Sequence, residues 1–145
     1  MAIHETLTMI DAPPASVLAT LTDPETCSRW APIPFLVEDL ETERLEPGST
    51  ARLGGRLAGR EVMFDIEVER ADEQVFALRA QGPFDMSVRY ELEDLGGSTA
   101  VTARIGTGAP RGLTGRLLQA AVDGLASAGL VEQAAKRLGR EAQLV

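Results

Sequence analysis

Between Phe35 and Ile105 apolar residues alternate with polar ones in three long stretches, and helical signals bracket the whole region. The stretches run from Val62 to Glu69, from Phe84 to Leu92 and from Thr99 to Ile105. A period of two puts successive side chains on opposite faces, so each stretch buries one face and wets the other, as antiparallel strands do. Turn-forming pairs punctuate the region at Pro47-Gly48, Gly54-Gly55, Gly82-Pro83 and Gly96-Gly97. Adding Phe35–Leu45, Ser49–Leu57 and Gln74–Ala80 gives six strands, and the N-terminal run Ile3–Ile10 makes seven. A long antiparallel sheet twists and curls, and its concave face needs a cover.

The cover is legible at the other end of the chain. Leu113 to about Glu141 reads as one long helix, with Leu113, Leu117, Ala120, Ala121, Gly124, Ala128, Val131, Ala135 and Leu138 on one stripe. Leu118, Val122 and Leu125 sit close to the middle of that stripe, and Arg116, Gln119, Asp123, Arg137 and Glu141 lie roughly opposite. The middle of the stripe is small. Close packing of helix on sheet, a cavity, and a kink near Gly129 all account for it, and each internal glycine costs roughly 1 kcal/mol of helix propensity.

Short helices are expected after the first strand. Pro14 suits a first helical turn, where its missing N–H costs nothing. Asp23-Pro24-Glu25 reads as a second start with Asp23 as cap. Pro32 and Pro34 then end the helical stretch before Phe35.

A length of 145 residues suits one domain, residues 1–145. The net charge of −8 argues against nucleic acid as a partner, which needs a basic footprint. No apolar run approaches the roughly 18 residues of a membrane span, so no stable membrane insertion and a cytoplasmic location are expected. Cys27 is the sole cysteine, which leaves no internal disulfide and no cysteine-based metal site. Gly54-Gly55-Arg56 and Gly106-Thr107-Gly108 lack the spacing and the following helix of a phosphate loop, so no metal and no cofactor is expected. His4, the only histidine, is expected to be exposed.

The run Ile10-Asp11-Ala12-Pro13-Pro14, with Val17-Leu18, Leu21-Thr22-Asp23-Pro24-Glu25 and Trp30 after it, resembles the START-like (SRPBCC) superfamily. The likeness is to its polyketide cyclase/dehydrase and lipid-transport group, and it covers the whole chain. It implies an α+β helix-grip fold, a curved seven-stranded antiparallel sheet wrapped around the long C-terminal helix, with two short helices after the first strand. It also implies an apolar pocket between sheet and helix, with Trp30 closing one end. The same scaffold serves carriers, cyclases and accessory proteins, so function has to be argued from the site.

Residues expected to line that pocket are Trp30, Phe35, Phe64, Ile66, Met86, Val88 and Tyr90, facing Leu117, Ala121, Gly124, Leu125 and Ala128 on the helix. Tyr90, Arg52 and Arg79 are the candidates for catalysis, since each can polarise a carbonyl by a directed hydrogen bond. The expected function is binding of a small hydrophobic molecule, lipid-like or polyketide-like. The alternative is a polyketide cyclase, aromatase or dehydratase using the same cavity. A third reading is an interaction module, and a homodimer stays among the expected partners.

Overall fold

The computed structural model describes residues 2–31 and 35–144. Strand β1 (Ala2–Ile10) leads through the proline turn into helices α1 (Pro14–Thr22) and α2 (Cys27–Trp30). Strands β2 (Leu36–Glu38), β3 (Thr50–Leu57), β4 (Arg60–Ala71), β5 (Val75–Gln81), β6 (Asp85–Asp94) and β7 (Thr99–Gly108) follow as a meander. Helices α3 (Gly112–Ser127) and α4 (Leu130–Ala142) complete the chain.

The seven strands form one antiparallel sheet in the order β1-β7-β6-β5-β4-β3-β2. Each hairpin pairs with its successor, and only β1 pairs out of sequence, with the last strand, from Ala2 opposite Thr107 to Ile10 opposite Thr99. The inward rows are those that the alternation selects. Val62, Phe64, Ile66 and Val68 of β4 are buried, as are Met86, Tyr90 and Leu92 of β6 and Val101, Ala103 and Ile105 of β7. Helices α3 and α4 lie across this face, so the architecture is the expected helix grip. No helix among the described residues is long and apolar enough to cross a membrane.

Pro14 does occupy the first turn of α1. Three boundaries differ from the sequence reading. Strand β2 stops at Glu38 instead of reaching Leu45, because Asp39 turns the chain with a left-handed backbone (φ 55°) and the following stretch is charged. Helix α2 starts at Cys27 with Thr26 at its N-cap; Asp23 instead closes a turn, its Oδ1 accepting the Glu25 N–H at 3.0 Å. Pro32 and Pro34 lie outside the described residues.

The third difference matters most for the site. The long C-terminal helix is divided at Gly129, whose φ of 98° no L side chain adopts cheaply. The break resets the helical phase, so one wheel cannot describe both halves. In α4 the stripe reading holds, with Val131, Ala135 and Leu138 buried alongside Ala134 and Ala142. In α3 it fails: Leu113 is 75% exposed, Leu117 60% and Leu125 45%, and Ala120, Gly124 and Ala128 are exposed as well. The face that docks is Gly115, Leu118, Val122 and Ala126.

Gly124 therefore faces open space, with no atom within 4 Å of where a Cβ would stand. A larger residue there cannot fill a cavity. Gly124→Ala is expected instead to raise stability by about 1 kcal/mol through helix propensity alone, read as a higher urea midpoint at unchanged slope.

Candidate functional site

The sheet and the helices do not meet everywhere. An apolar cavity of about 90 Å³ remains between them. Its floor is Leu53 of β3, Phe76, Leu78 and Ala80 of β5, Met86, Val88 and Tyr90 of β6, and Ile105 of β7. Its roof is Val122 and Ala126 of α3 with Leu130 and Val131 of α4, and Cys27, Trp30, Ala31 and Phe35 close one end. No charged side chain lines it among the described residues.

The geometry follows from the local sequence. On β6 and β7 the two-residue period brings Val88 opposite Ile105, and on β5 and β6 it brings Leu78 opposite Val88. Small residues keep the space open, with Ala80 below and Ala126 above. The left-handed turn at Gly129 then brings Leu130 and Val131 over the end of α3 to complete the roof.

Almost none of the cavity surface is polar, and three side chains that carry a polar atom, Cys27, Trp30 and Tyr90, stand at the α2 end. Trp30 is 5% exposed and stands edge-on to Tyr90, ring centres 5.8 Å apart. Its indole Nε1 is buried and has no hydrogen-bond partner among the described residues. A buried donor left unpaired costs about 1–3 kcal/mol, so this group departs from the usual rule of the interior. Tyr90 is 2% exposed, and burial, with the nearby Cys27 adding to it, pushes its phenol above the usual range. Burial also pushes the Cys27 thiol up to about 11. All three groups are thus neutral at pH 7 and none carries a nucleophilic charge.

Five residues named from the sequence line the cavity: Trp30, Phe35, Met86, Val88 and Tyr90. Phe64 and Ile66 are buried beside it, not in it. Phe64 packs edge-on between Phe35 and Phe84, and Ile66 pairs with Ala51 and Ala80. Leu117, Ala121, Gly124, Leu125 and Ala128 are corrected outright, because the docking face of α3 is turned away from them. Arg52 and Arg79 point outward from the sheet. Arg52 Nε faces Asp65 at 3.3 Å and Asp39 at 3.9 Å, and Arg79 Nε faces Glu69 at 3.7 Å. The sequence also hid lining residues on β3, β7, α2 and the C-terminal helices, and on β5 the reason is local: buried Val75 and Ala77 on the outer face blur the alternation of Phe76, Leu78 and Ala80.

His4 is corrected too. It is partly buried, and its Nε2 lies 3.0 Å from Asp123 Oδ1, which also accepts the Thr107 hydroxyl at 2.7 Å. This clasp ties α3 to β1 and β7. It explains why Asp123, assigned to the solvent side from the wheel, turns inward. Asp123 accepts from both partners, so the group holds no hydroxyl activated by a histidine and is a docking device.

Known structures share this architecture. A START superfamily protein from Mycobacterium smegmatis superposes with a TM-score of 0.70 at 22% identity, over 99% of each chain. A protein from Thermus thermophilus gives 0.71 at 22% identity, over 99% of this chain and 98% of the other. The Zhui aromatase/cyclase from a Streptomyces species gives 0.68 at 19% identity, over 98% and 93%. At these identities the likeness establishes the fold alone. No curated protein matches the sequence closely enough to count as a relative. The sequence itself matches the polyketide cyclase/dehydrase and lipid transport family over residues 1–142, and the chain belongs to that family.

Proposed function

We propose that the protein binds one small apolar molecule in the cavity between β5, β6, β7 and the C-terminal helices. The observation that carries this reading is the lining: a space between sheet and helices walled almost wholly by the carbon atoms of aliphatic and aromatic side chains. Membership of a family described by polyketide cyclase, dehydrase and lipid transport supports a hydrophobic ligand. Binding is favoured over cyclase chemistry by the position of Arg52 and Arg79, whose charges face solvent and cannot stabilise an oxyanion inside.

Size narrows the ligand. The cavity of about 90 Å³ has room for about three waters. Drug-sized ligands occupy pockets of roughly 300–1,000 Å³. A compact molecule of benzene size or less fits with a small adjustment of Met86, whose unbranched thioether is an adaptable wall. A longer ligand needs α3 to lift, and the left-handed Gly112 (φ 66°) and Gly129 (φ 98°) stand at its two ends as hinges.

The test is a titration with methylenecyclopentane followed by tryptophan fluorescence, which reports only the site because Trp30 is the sole tryptophan. A saturable shift in emission is expected, and a flat titration would sink the proposal. Tyr90→Phe, which keeps the ring and deletes one hydroxyl, is expected to change affinity by no more than about 0.5–1.5 kcal/mol. A variant that bound normally but lost a measurable turnover by roughly 100-fold would establish the cyclase reading in its place.

A further inference from the structure

The outer face of α3 carries a pattern that nothing inside the chain uses. Opposite the docking face stand Leu113, Leu117, Ala120, Gly124 and Ala128, each three or four residues after the last, so they form one line along the helix. All five are exposed, Leu113 at 75% and Leu117 at 60%. A contiguous apolar surface of this kind marks contact with another molecule.

The line is graded. Its N-terminal half is leucine, and its C-terminal half is alanine and glycine. Gly124 is the informative member. Glycine weakens a helix interior, and its two usual uses are absent here. Its backbone is not left-handed, and nothing stands within 4 Å of where its Cβ would be. Its small size is open to a side chain from outside. Charge is graded along the same direction. Exposed Arg116 stands on the leucine half, and exposed Glu132 lies beyond the other end, its Oε2 3.9 Å from where a Cβ of Gly129 would stand. Neither has an ion-pair partner among the described residues.

We propose that the outer face of α3 is the interface of a homodimer, in which two copies pack antiparallel about a two-fold axis between Ala120 and Ala121. Leu117 of each copy then sits over Gly124 of the other, and Leu113 over Ala128. The same arrangement brings Arg116 of each copy to the Glu132 end of the other, twice by symmetry. A parallel pair sets leucine on leucine and arginine on arginine. A membrane surface rewards bulk along the whole face, and half of this one has none. The helix has 16 residues and is about 24 Å long, and two such faces bury together roughly 1,000 Å², the lower bound of a specific interface. A reversible dimer with a dissociation constant of roughly 10–100 µM is therefore expected. The net charge of −8 on each copy is screened beyond about 8 Å at physiological salt, so the local pairs set the register. Val122 and Ala126 on the opposite side of α3 roof the cavity, and pairing braces that roof from outside.

Sedimentation velocity on the full chain, from roughly 5 to 500 µM at physiological salt, tests the proposal. The wild type is expected to pass from monomer to dimer across that range. Gly124→Leu blocks both seats and is expected to weaken the dimer by roughly 100-fold or more, although leucine is more apolar and the better helix former. Its urea midpoint, read on dilute protein, is expected to be no lower than that of the wild type, which separates loss of pairing from loss of fold. Arg116→Glu is expected to weaken the dimer roughly three- to tenfold, and adding Glu132→Arg to restore it.

A wild type that stays monomeric at the highest concentration overturns the proposal. A Gly124→Leu that associates as well as the wild type, or better, overturns it too, since the contact is then elsewhere or the face is a plain apolar surface. If the charge swap fails to restore pairing, the antiparallel arrangement is wrong. Each of these outcomes is read with no ligand present, so none depends on the fluorescence titration.

Discussion

Replacing Ala126 with leucine is expected to lower affinity for a small apolar ligand by about 100-fold or more while the protein stays folded. Ala126 is 7% exposed and forms the roof of the cavity beside Val122. Leucine adds three carbon atoms to a space of about 90 Å³, which leaves nothing for a ligand. Readmitting one then requires the overpacked arrangement, at about 3 kcal/mol, and that is the 100-fold. Stability should move by no more than about 1 kcal/mol, because burying the added carbons offsets their crowding. Fluorescence titration reads the affinity, and urea unfolding reads the stability. Normal binding by a folded Ala126→Leu would place the ligand elsewhere.

Gly115→Ala carries the largest expected loss of stability, about 3 kcal/mol. The glycine sits on the docking face of α3, and a Cβ there would stand well inside van der Waals contact with the Pro83 carbonyl oxygen and 3.4 Å from the Pro110 carbonyl carbon. Those atoms are backbone and cannot rotate away. The same Pro83 oxygen accepts the Arg111 N–H at 2.8 Å, so pushing it aside also breaks the bond that starts the helix. The contrast with Gly124→Ala on the outer face of the same helix is the informative part. One methyl should destabilise and the other stabilise, and equal effects in urea would show that α3 docks through another face.

These two glycines also show where the sequence was readable. The period of two in β4, β6 and β7 specified which side chains face inward, and the proline-flanked turn before α1 specified the first crossing. Three cavity residues, Met86, Val88 and Tyr90, followed from the β6 row, while Trp30 followed from the family resemblance and Phe35 from its place just beyond it. The face of α3 did not follow, for a physical reason: hydrophobic periodicity locates a buried stripe only along an unbroken helix, and Gly129 breaks this one. The outer face of α3 is also apolar, with Leu113, Leu117 and Leu125 exposed, so hydrophobicity offered two stripes and no means of choosing. The choice is made by groups distant in sequence. The clasp of Asp123 with His4 and Thr107, and the fit of Gly115 against Pro83, rotate the helix to its observed face. The unpaired Trp30 donor was equally illegible, since satisfaction of a hydrogen bond is a property of the packed interior.

Native mass spectrometry of the chain purified from its own host, as wild type and as Ala126→Leu, tests the central claim most directly. The wild type is expected to carry one non-covalent small-molecule adduct per chain that is released on denaturation, and Ala126→Leu is expected to carry none. The bare chain mass alone in the wild type, or an adduct retained by Ala126→Leu, would contradict a ligand held between the sheet and α3.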